Sequence, residues 1–433
     1  MNYYSLNDPS VTATFKEATI RGQAPDKGLY FPGTIPALPA ELIRDIDKYS
    51  REELAFRVIR PYVGDDLPEE ELRRIVAETI NFDFPLVKVT GDIQSLELFH
   101  GPTLAFKDVG ARFMSRCLGS FVKGRDQKVT VLVATSGDTG GAVASGFYDV
   151  PGVEVVILYP SGKVSSVQEL QLTTLGKNIS ALEVDGSFDD CQRIVKEAFM
   201  DTTLNKALFL TSANSINVAR WLPQQFYYFF AYQQWADKDH PPVISVPSGN
   251  FGNICAGLLA HHSGLPVSHF IAACNANNIV RAYLQTGDYQ PKKAIATLSN
   301  AMDVGDPSNF VRILEIFHRQ LGSLRKVLTS YSISDEETRS AIRDVYNNYH
   351  YLPDPHGAVG YLALERYLAA HTGQKGYFLE TAHPVKFYDG VEPVIGEKVP
   401  MPDAVKALLG RRKISTKITP DFNQLKEFLL AKK

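Results

Sequence analysis

Cysteine is scarce in this chain, with four in 433 residues: Cys117, Cys191, Cys255 and Cys274. They lie too far apart for a C-x-x-C metal or redox motif, and so few thiols make no disulfide framework. A reducing compartment, the cytoplasm, is the expectation. Charge of one sign is lacking too. The 45 Lys+Arg against 48 Asp+Glu leave a formal net charge of −3, without the basic excess of a nucleic-acid binder. A local basic pocket for a small anion stays open. No run approaches the ~20 apolar residues of a membrane span, and the most apolar stretches, 153–159 and 226–232, have strand or buried-helix length. The opening Met-Asn-Tyr-Tyr-Ser-Leu-Asn-Asp lacks the basic-then-apolar order of a signal peptide. There is no internal repeat and no low-complexity linker. With 24 Phe and 20 Tyr, disorder is excluded as the main theme. What remains is a globular chain long enough for two or three domains of roughly 150 residues.

The first 85 or so residues read as polar and helical, with helix candidates at 52–60 and 68–82. Pro85 marks a boundary, so the expectation is an N-terminal region over 1–85 and a second region over 86–433. Strand and helix then alternate. Strands are expected at 128–134, 153–159, 179–184 and 243–246. Helices are expected at 141–148, 166–175, 188–200 and 254–262, the third with Asp189 and Asp190 in its first turn. Alternation of this kind implies an α/β fold with parallel sheet and helices on both faces. Ligands of such sheets lie beyond the carboxyl ends of the strands.

Two strand-to-helix turns stand out there. Thr135-Ser136-Gly137-Asp138-Thr139-Gly140 carries small side chains that leave backbone N–H groups exposed at a helix start, suiting a carboxylate or phosphate. Ser248-Gly249-Asn250-Phe251-Gly252-Asn253 has glycines that let backbone fold around a phosphate. Neither fits G-x-G-x-x-G or the P-loop, so nicotinamide and ATP readings have no motif behind them. Each turn, taken alone, is equally a tight turn and nothing more. A third feature is His100-Gly101-Pro102-Thr103-Leu104-Ala105-Phe106-Lys107-Asp108. Lys107 is either a surface lysine beginning a helix or a partly desolvated, nucleophilic amine. A lysine able to form a Schiff base, together with a glycine turn able to hold a phosphate, suggests pyridoxal phosphate as cofactor, the other turn taking a substrate carboxylate.

These blocks resemble the threonine synthases of the bacterial and fungal type. The likeness runs through Gly28-Leu29-Tyr30-Phe31-Pro32, Leu98-Phe99-His100-Gly101-Pro102-Thr103, the TSGDTG turn and Ser212-Ala213-Asn214-Ser215-Ile216-Asn217. It continues in Val246-Pro247-Ser248-Gly249-Asn250-Phe251-Gly252, Leu298-Ser299-Asn300-Ala301-Met302-Asp303 and Thr381-Ala382-His383-Pro384. The resemblance implies a fold type II pyridoxal phosphate enzyme, of the tryptophan-synthase-β-like class, with two parallel-sheet α/β lobes and the cofactor between them. A smaller mobile lobe, about 110–210, would close over substrate. The implied activity is the last step of threonine biosynthesis: O-phospho-L-homoserine and water give L-threonine and phosphate, a carbon–oxygen lyase reaction. Lys107 then resembles the catalytic Schiff-base lysine. Gly249, Asn250, Phe251, Gly252 and Asn253 resemble the cofactor-phosphate cradle, and Thr381 the partner of the pyridine nitrogen. Ser136, Asp138 and Thr139 fall in the loop for the substrate carboxylate. Asn214, Ser215 and Arg220 resemble the substrate-phosphate site.

Two departures from the family pattern are visible. Glu380 precedes Thr381 where a glycine is expected, a change at the pyridine-side wall, and Trp221-Leu222-Pro223 puts a proline just after Arg220, a change at the helix that carries the phosphate ligands. In the implied mechanism Lys107, once displaced by the substrate amine, is the base at Cα and then at Cβ, and Arg220 meets the phosphate that leaves Cγ. His100 is either a turn residue or an acid–base partner. His383, the aromatic stretch 226–232 and the pair His261-His262 read as structural, and Asp303 as a helix cap. The rivals are a phospholyase that releases a keto acid, and a serine or threonine dehydratase of the same fold. The expected partner is the small-molecule substrate, with neither nucleic acid nor membrane, for a monomer or homodimer and with no metal.

Overall fold

The computed structural model describes residues 1–124 and 127–432. Two sheets organise it, each within its own compact body. One body takes Met1, Phe31–Phe106 and Trp221–Pro400. The other takes Asn2–Tyr30, Lys107–Arg220 and Met401–Lys433.

In the first body the sheet has six strands, in the order Leu328–Ser332, His269–Cys274, Val243–Pro247, Gly376–Glu380, Ile93–Glu97 and Leu86–Lys88. All neighbours run parallel except Leu86–Lys88, which pairs antiparallel at one edge. Val243–Pro247, His269–Cys274 and Gly376–Glu380 are buried at every residue, as strands covered on both faces must be. The register sets Glu380 opposite Glu97 and Phe378 opposite Ser245. Three neighbouring strands therefore end level, and the turns that follow them, beginning at 98, 248 and 381, leave the same edge of the sheet. In the helix Gln225–Gln234 the run Phe226 to Tyr232 is apolar on all sides and buried on all sides, with Phe226 to Phe230 inaccessible to solvent. The aromatic stretch is core, as expected.

The second body holds five parallel strands in the order Thr416–Ile418, Ile179–Val184, Val153–Pro160, Val129–Ala134 and Phe209–Thr211. Its helices Ser166–Thr173 and Phe188–Met200 start with capping boxes, from Ser165 with Gln168 and from Ser187 with Asp190; each box satisfies two backbone donors of the first turn. Strand 179–184 and helix 188–200 stand where periodicity put them. Two helices start earlier than expected, Asp138–Phe147 and Gly252–His262, because glycines at the first turn look like loop while supplying close approach.

The first 85 residues are less helical than expected. Asn2–Ser5 and Thr12–Thr14 form an antiparallel pair before the helices Phe15–Arg21, Arg51–Val63 and Glu69–Thr79. They are also divided, 2–30 falling in the second body and 31–85 in the first. Residues 110–210 lie wholly in the second body (125 and 126 are outside the described residues), which also recruits 401–433. That recruitment runs through pairing of Thr416–Ile418 on Leu182 to Val184, a three-residue strand too short to give a periodic signal. All four cysteines are buried free thiols. No described helix is long and apolar enough to cross a membrane.

An ion cluster fixes that terminal segment. The Glu183 side chain, 5% exposed, lies 2.7 Å from Lys413 and 3.8 Å from Lys417, and Ser161 Oγ donates to it at 2.6 Å. Burial acts to raise the Glu183 pKa, but the Lys413 and Ser161 donors and the Lys417 charge outweigh it and bring it down to about 2, from 4.5. A depressed carboxyl stabilises the fold above its unfolded pKa and ceases to do so as pH falls from 4.5 toward 2. Because the two lysines are 37% and 79% exposed, the contribution is on the order of 1–2 kcal/mol. Glu183→Gln is expected to cost that much in urea unfolding at pH 7, the gap from the parent shrinking as pH is lowered to 3. A gap that is constant with pH would remove the ion pairs as its cause.

Candidate active site

The turn before Lys107 is clamped from several sides. Leu98 N–H donates to the Glu380 carbonyl at 3.0 Å, Phe106 N–H to the Thr381 carbonyl at 2.9 Å, and His383 N–H to the Leu104 carbonyl at 3.1 Å. The fully buried Lys386 gives its Nζ to the Thr103 carbonyl at 2.8 Å, and Tyr227 donates its hydroxyl to the Phe106 carbonyl. Leu104 adopts φ +57°, a left-handed conformation costly for a branched side chain and held here by its neighbours. One peptide bond past Phe106, Lys107 opens the helix Lys107–Val122.

Within the second body, the TSGDTG turn is closed by Thr135, whose buried Oγ1 accepts from Gly137 N–H at 3.0 Å and Gly140 N–H at 2.8 Å. Gly137, the N-cap of Asp138–Phe147, has φ +138°, which only glycine adopts without strain. A Cβ there would also strike Gln168 at 2.5 Å. Gln168 in turn donates Nε2 to Asp138 Oδ1 at 2.8 Å. That leaves Asp138 Oδ2 facing Lys107 Nζ at 3.8 Å, the two side chains being 4% and 16% exposed. Lys107 and Asp138 are therefore brought together. Because like charges repel, the Asp138 side chain disfavours an anion beside it, and the turn's remaining groups are its main-chain N–H donors and the half-buried Ser136 and Thr139.

Arg220 packs against the helix that Lys107 opens. Gly110, one turn on from Lys107, has no Cβ, and one would lie 2.6 Å from the Arg220 carbonyl and 3.3 Å from its Nε. The arginine, 3% exposed, sits on Val218–Trp221. Asn217 shapes the approach: its Nδ2 donates to the Thr19 and Ser212 carbonyls, and its Oδ1 accepts from Ala219 N–H. Asn214 lies in this turn with its Oδ1 buried and no hydrogen-bond partner among the described residues, and Ser215 is half-buried beside it. The proline at 223 falls in the 3-10 turn Leu222–Gln224, past the end of that short helix, where no backbone donor is needed.

In the first body, Ser248 to Asn253 makes the second turn. Phe251 takes φ +61° at the N-cap of Gly252–His262. Gly252 and Asn253 are then the first helical residues, whose N–H groups have no acceptor within the helix and face the positive end of its dipole. Gly249 packs against backbone, since a Cβ would meet Met302 Cα at 2.7 Å and the Ala301 carbonyl at 2.8 Å. The Asn250 side-chain oxygen accepts from Ser308 N–H at 2.6 Å, and Asn253 donates Nδ2 to the Pro247 carbonyl at 2.8 Å, so both side chains bond within the fold. Tyr228 fastens the same turn by donating to the Asn253 carbonyl at 2.6 Å. Within this body, amides at a helix start and a neutral hydroxyl at Thr381 (6% exposed) suit the phosphate and ring nitrogen of pyridoxal phosphate; within the other, the partly exposed amine of Lys107 suits an aldehyde.

His100, His261, His262 and His383 each bond or pack within the fold. His383 caps the 3-10 turn Pro384–Phe387 by accepting from Val385 N–H at 3.1 Å. Burial first, and the neighbouring His100, lower its pKa to about 4, so it is neutral. His100 pairs with Glu97 at 2.7 Å on the surface side. His261 and His262 occupy the last helical turn, against the Leu265 carbonyl and the Phe317 ring. Asp303 is the C-cap of the 3-10 turn Asn300–Met302, its N–H bonded to the Asn300 carbonyl, while its carboxylate gathers Asn275, Asn277 and both the N–H and hydroxyl of Thr297. Gln168, Asn217, Tyr227 and Tyr228 were invisible as site residues in the sequence, since each acts across at least 5 positions of chain.

Residues 95–378 match the family described as pyridoxal-phosphate dependent enzyme, so the fold and the donor set define that class. Residues 2–80 match the threonine synthase N terminus, and 357–429 the threonine synthase C-terminal region. The threonine synthase of Serratia marcescens is 44% identical over 431 residues, 99% of each chain. The crystal structure of threonine synthase from Escherichia coli superposes with a TM-score of 0.94 at 42% identity, covering 100% of both chains. A pyridoxal phosphate-bound threonine synthase from Brucella melitensis gives 0.92 at 34% identity, over 100% of this chain and 99% of that one. The chain belongs to the threonine synthase family, the pyridoxal phosphate-dependent lyases of fold type II.

Proposed function

We propose that this chain converts O-phospho-L-homoserine and water to L-threonine and phosphate, and that the residues described above divide the work as follows. Bound pyridoxal phosphate supplies an electron-withdrawing ring that makes protons on Cα and Cβ of an amino acid removable. Gly249, Asn250, Phe251, Gly252 and Asn253 hold its phosphate with main-chain N–H groups, and Thr381 meets the ring nitrogen with a neutral hydroxyl. Lys107 holds the cofactor and then, as a free amine, takes and returns protons at Cα, Cβ and Cγ. Asp138, fixed by Gln168, keeps that amine in place and steadies its protonated form. Ser136 and Thr139 hydroxyls, with the N–H groups of their turn, orient the substrate carboxylate. Arg220, Asn214 and Ser215 bind the substrate phosphate and stabilise the charge it gains on leaving.

The observation that carries this reading is the grouping of Lys107, Asp138 and Arg220 about the first turn of one helix, in a chain aligned end to end with threonine synthases. Such alignment favours a synthase over a dehydratase. A reducing cytoplasm suits four buried free thiols. The test is quantification of both products from O-phospho-L-homoserine. Threonine and phosphate are expected one for one. Phosphate with a keto acid in place of threonine would mean a phospholyase on the same residues.

A further inference from the structure

Glu380, the residue before Thr381, is fully buried at the end of its strand. Its Oε1 accepts from Asp354 N–H at 2.6 Å. Its Oε2 is buried with no hydrogen-bond partner among the described residues. Asp354, also fully buried, caps the helix Pro355–Ala370: Oδ1 accepts from Gly357 N–H at 2.6 Å and Oδ2 from His356 Nδ1 at 2.6 Å. His356, 2% exposed, accepts the Ala301 N–H on Nε2 at 3.2 Å. With Nε2 accepting, the ring proton is on Nδ1 and the imidazole is neutral. Ala301 and Met302 are the backbone against which Gly249 packs.

We propose that Glu380, Asp354 and His356 form a buried strut that joins Thr381 to the backing of Gly249 and so sets how long this chain retains its cofactor. The proposal rests on the reading of Thr381 and Gly249 as cofactor ligands. A carboxyl has been given room here: a Cβ at Gly357 would lie 1.6 Å from Glu380 Oε2. Two buried carboxyls this close cannot both carry charge. Asp354 has the helix N-terminus, a backbone donor and His356 for its charge. Burial first, then the Asp354 charge and that of Glu97, hold the Glu380 pKa well above the usual carboxylate range. Tyr351, on the other side, is bonded to Ser95 and stays a neutral phenol. Glu380 is accordingly a neutral acid, whose Oε1 acts as a carbonyl acceptor. These are positioning residues and touch no reacting atom.

The test is the rate at which holoenzyme loses its visible cofactor band after dilution into cofactor-free buffer. Glu380→Gln keeps the acceptor, the shape and the neutrality, and is expected within about threefold of the parent. Glu380→Ala removes the acceptor for Asp354 N–H and should release cofactor about tenfold faster, the scale of one lost buried hydrogen bond. His356→Asn frees Ala301 N–H and is expected to act similarly. The double variant should fall short of the product of the singles, since either change severs the same strut. Release as fast in Glu380→Gln as in Glu380→Ala would overturn the proposal. So would single effects that multiply fully, or a lowered melting temperature with unchanged release. Should Glu380→Ala fail to fold, Glu380→Gln and His356→Asn decide it between them. Thr381→Val tests the underlying reading separately: unchanged release there removes Thr381 as a cofactor ligand, whatever Glu380 does.

Discussion

Lys107→Ala is expected to bind pyridoxal phosphate without its characteristic visible band and to lower kcat by at least about 10⁴, because the same amine holds the cofactor and moves the protons. Two further variants separate chemistry from electrostatics. Asp138 is 4% exposed and sits 3.8 Å from Nζ, so alanine strips a buried carboxylate of its nearby cation, though Gln168 still donates to it at 2.8 Å. Lys107→Ala should therefore also cost about 1–3 kcal/mol of stability. Lys107→Arg restores a cation beside Asp138 but offers no free amine, since guanidinium does not deprotonate near neutral pH. It should recover most of that stability and none of the activity. Added ethylamine should partly restore turnover to the alanine variant. Activity within tenfold of the parent in either variant would sink the assignment of Lys107.

Much of this site was legible because its main-chain work leaves a mark on sequence. TSGDTG and SGNFGN are strings of small residues where a strand ends, and the structure uses them as helix starts that no N-cap side chain closes. The alternation of apolar runs gave both the parallel sheets and most element positions within a few residues. The recruitment of 2–30 and 401–433 into the second body was hidden, because it depends on short strands and on ion pairs such as Glu183 with Lys413. The supporting shell was hidden for the same reason. Gln168 meets Asp138 across 30 positions, and Tyr227 meets Phe106 across 121. No local pattern marks such a residue. Glu380 was visible only as an oddity, and its meaning needed Gly357, 23 residues earlier, where the missing Cβ leaves space for its carboxyl.

Arg220→Ala is expected to lower kcat/KM for O-phospho-L-homoserine by about 10²–10³, the scale of removing a charge-assisted donor from a phosphate in a water-poor site. The residue is 3% exposed and packed over Gly110, so loss of its side chain also leaves a void, and activity alone would not identify its role. Ligand comparison does. If Arg220 receives the substrate phosphate, inhibition by inorganic phosphate should weaken by a similar factor in Arg220→Ala. Inhibition by L-threonine, which has no phosphate, should stay within about threefold of the parent. Arg220→Lys keeps the charge but not the planar fork, and its phosphate inhibition should fall between the two. A void acting on the fold would weaken both inhibitors together, because Lys107, Asp138 and Gly110 share the helix and turn that Arg220 supports. Parallel loss of threonine and phosphate inhibition would thus make Arg220 a packing residue, and the substrate phosphate would have to be met by Asn214 and Ser215 without it.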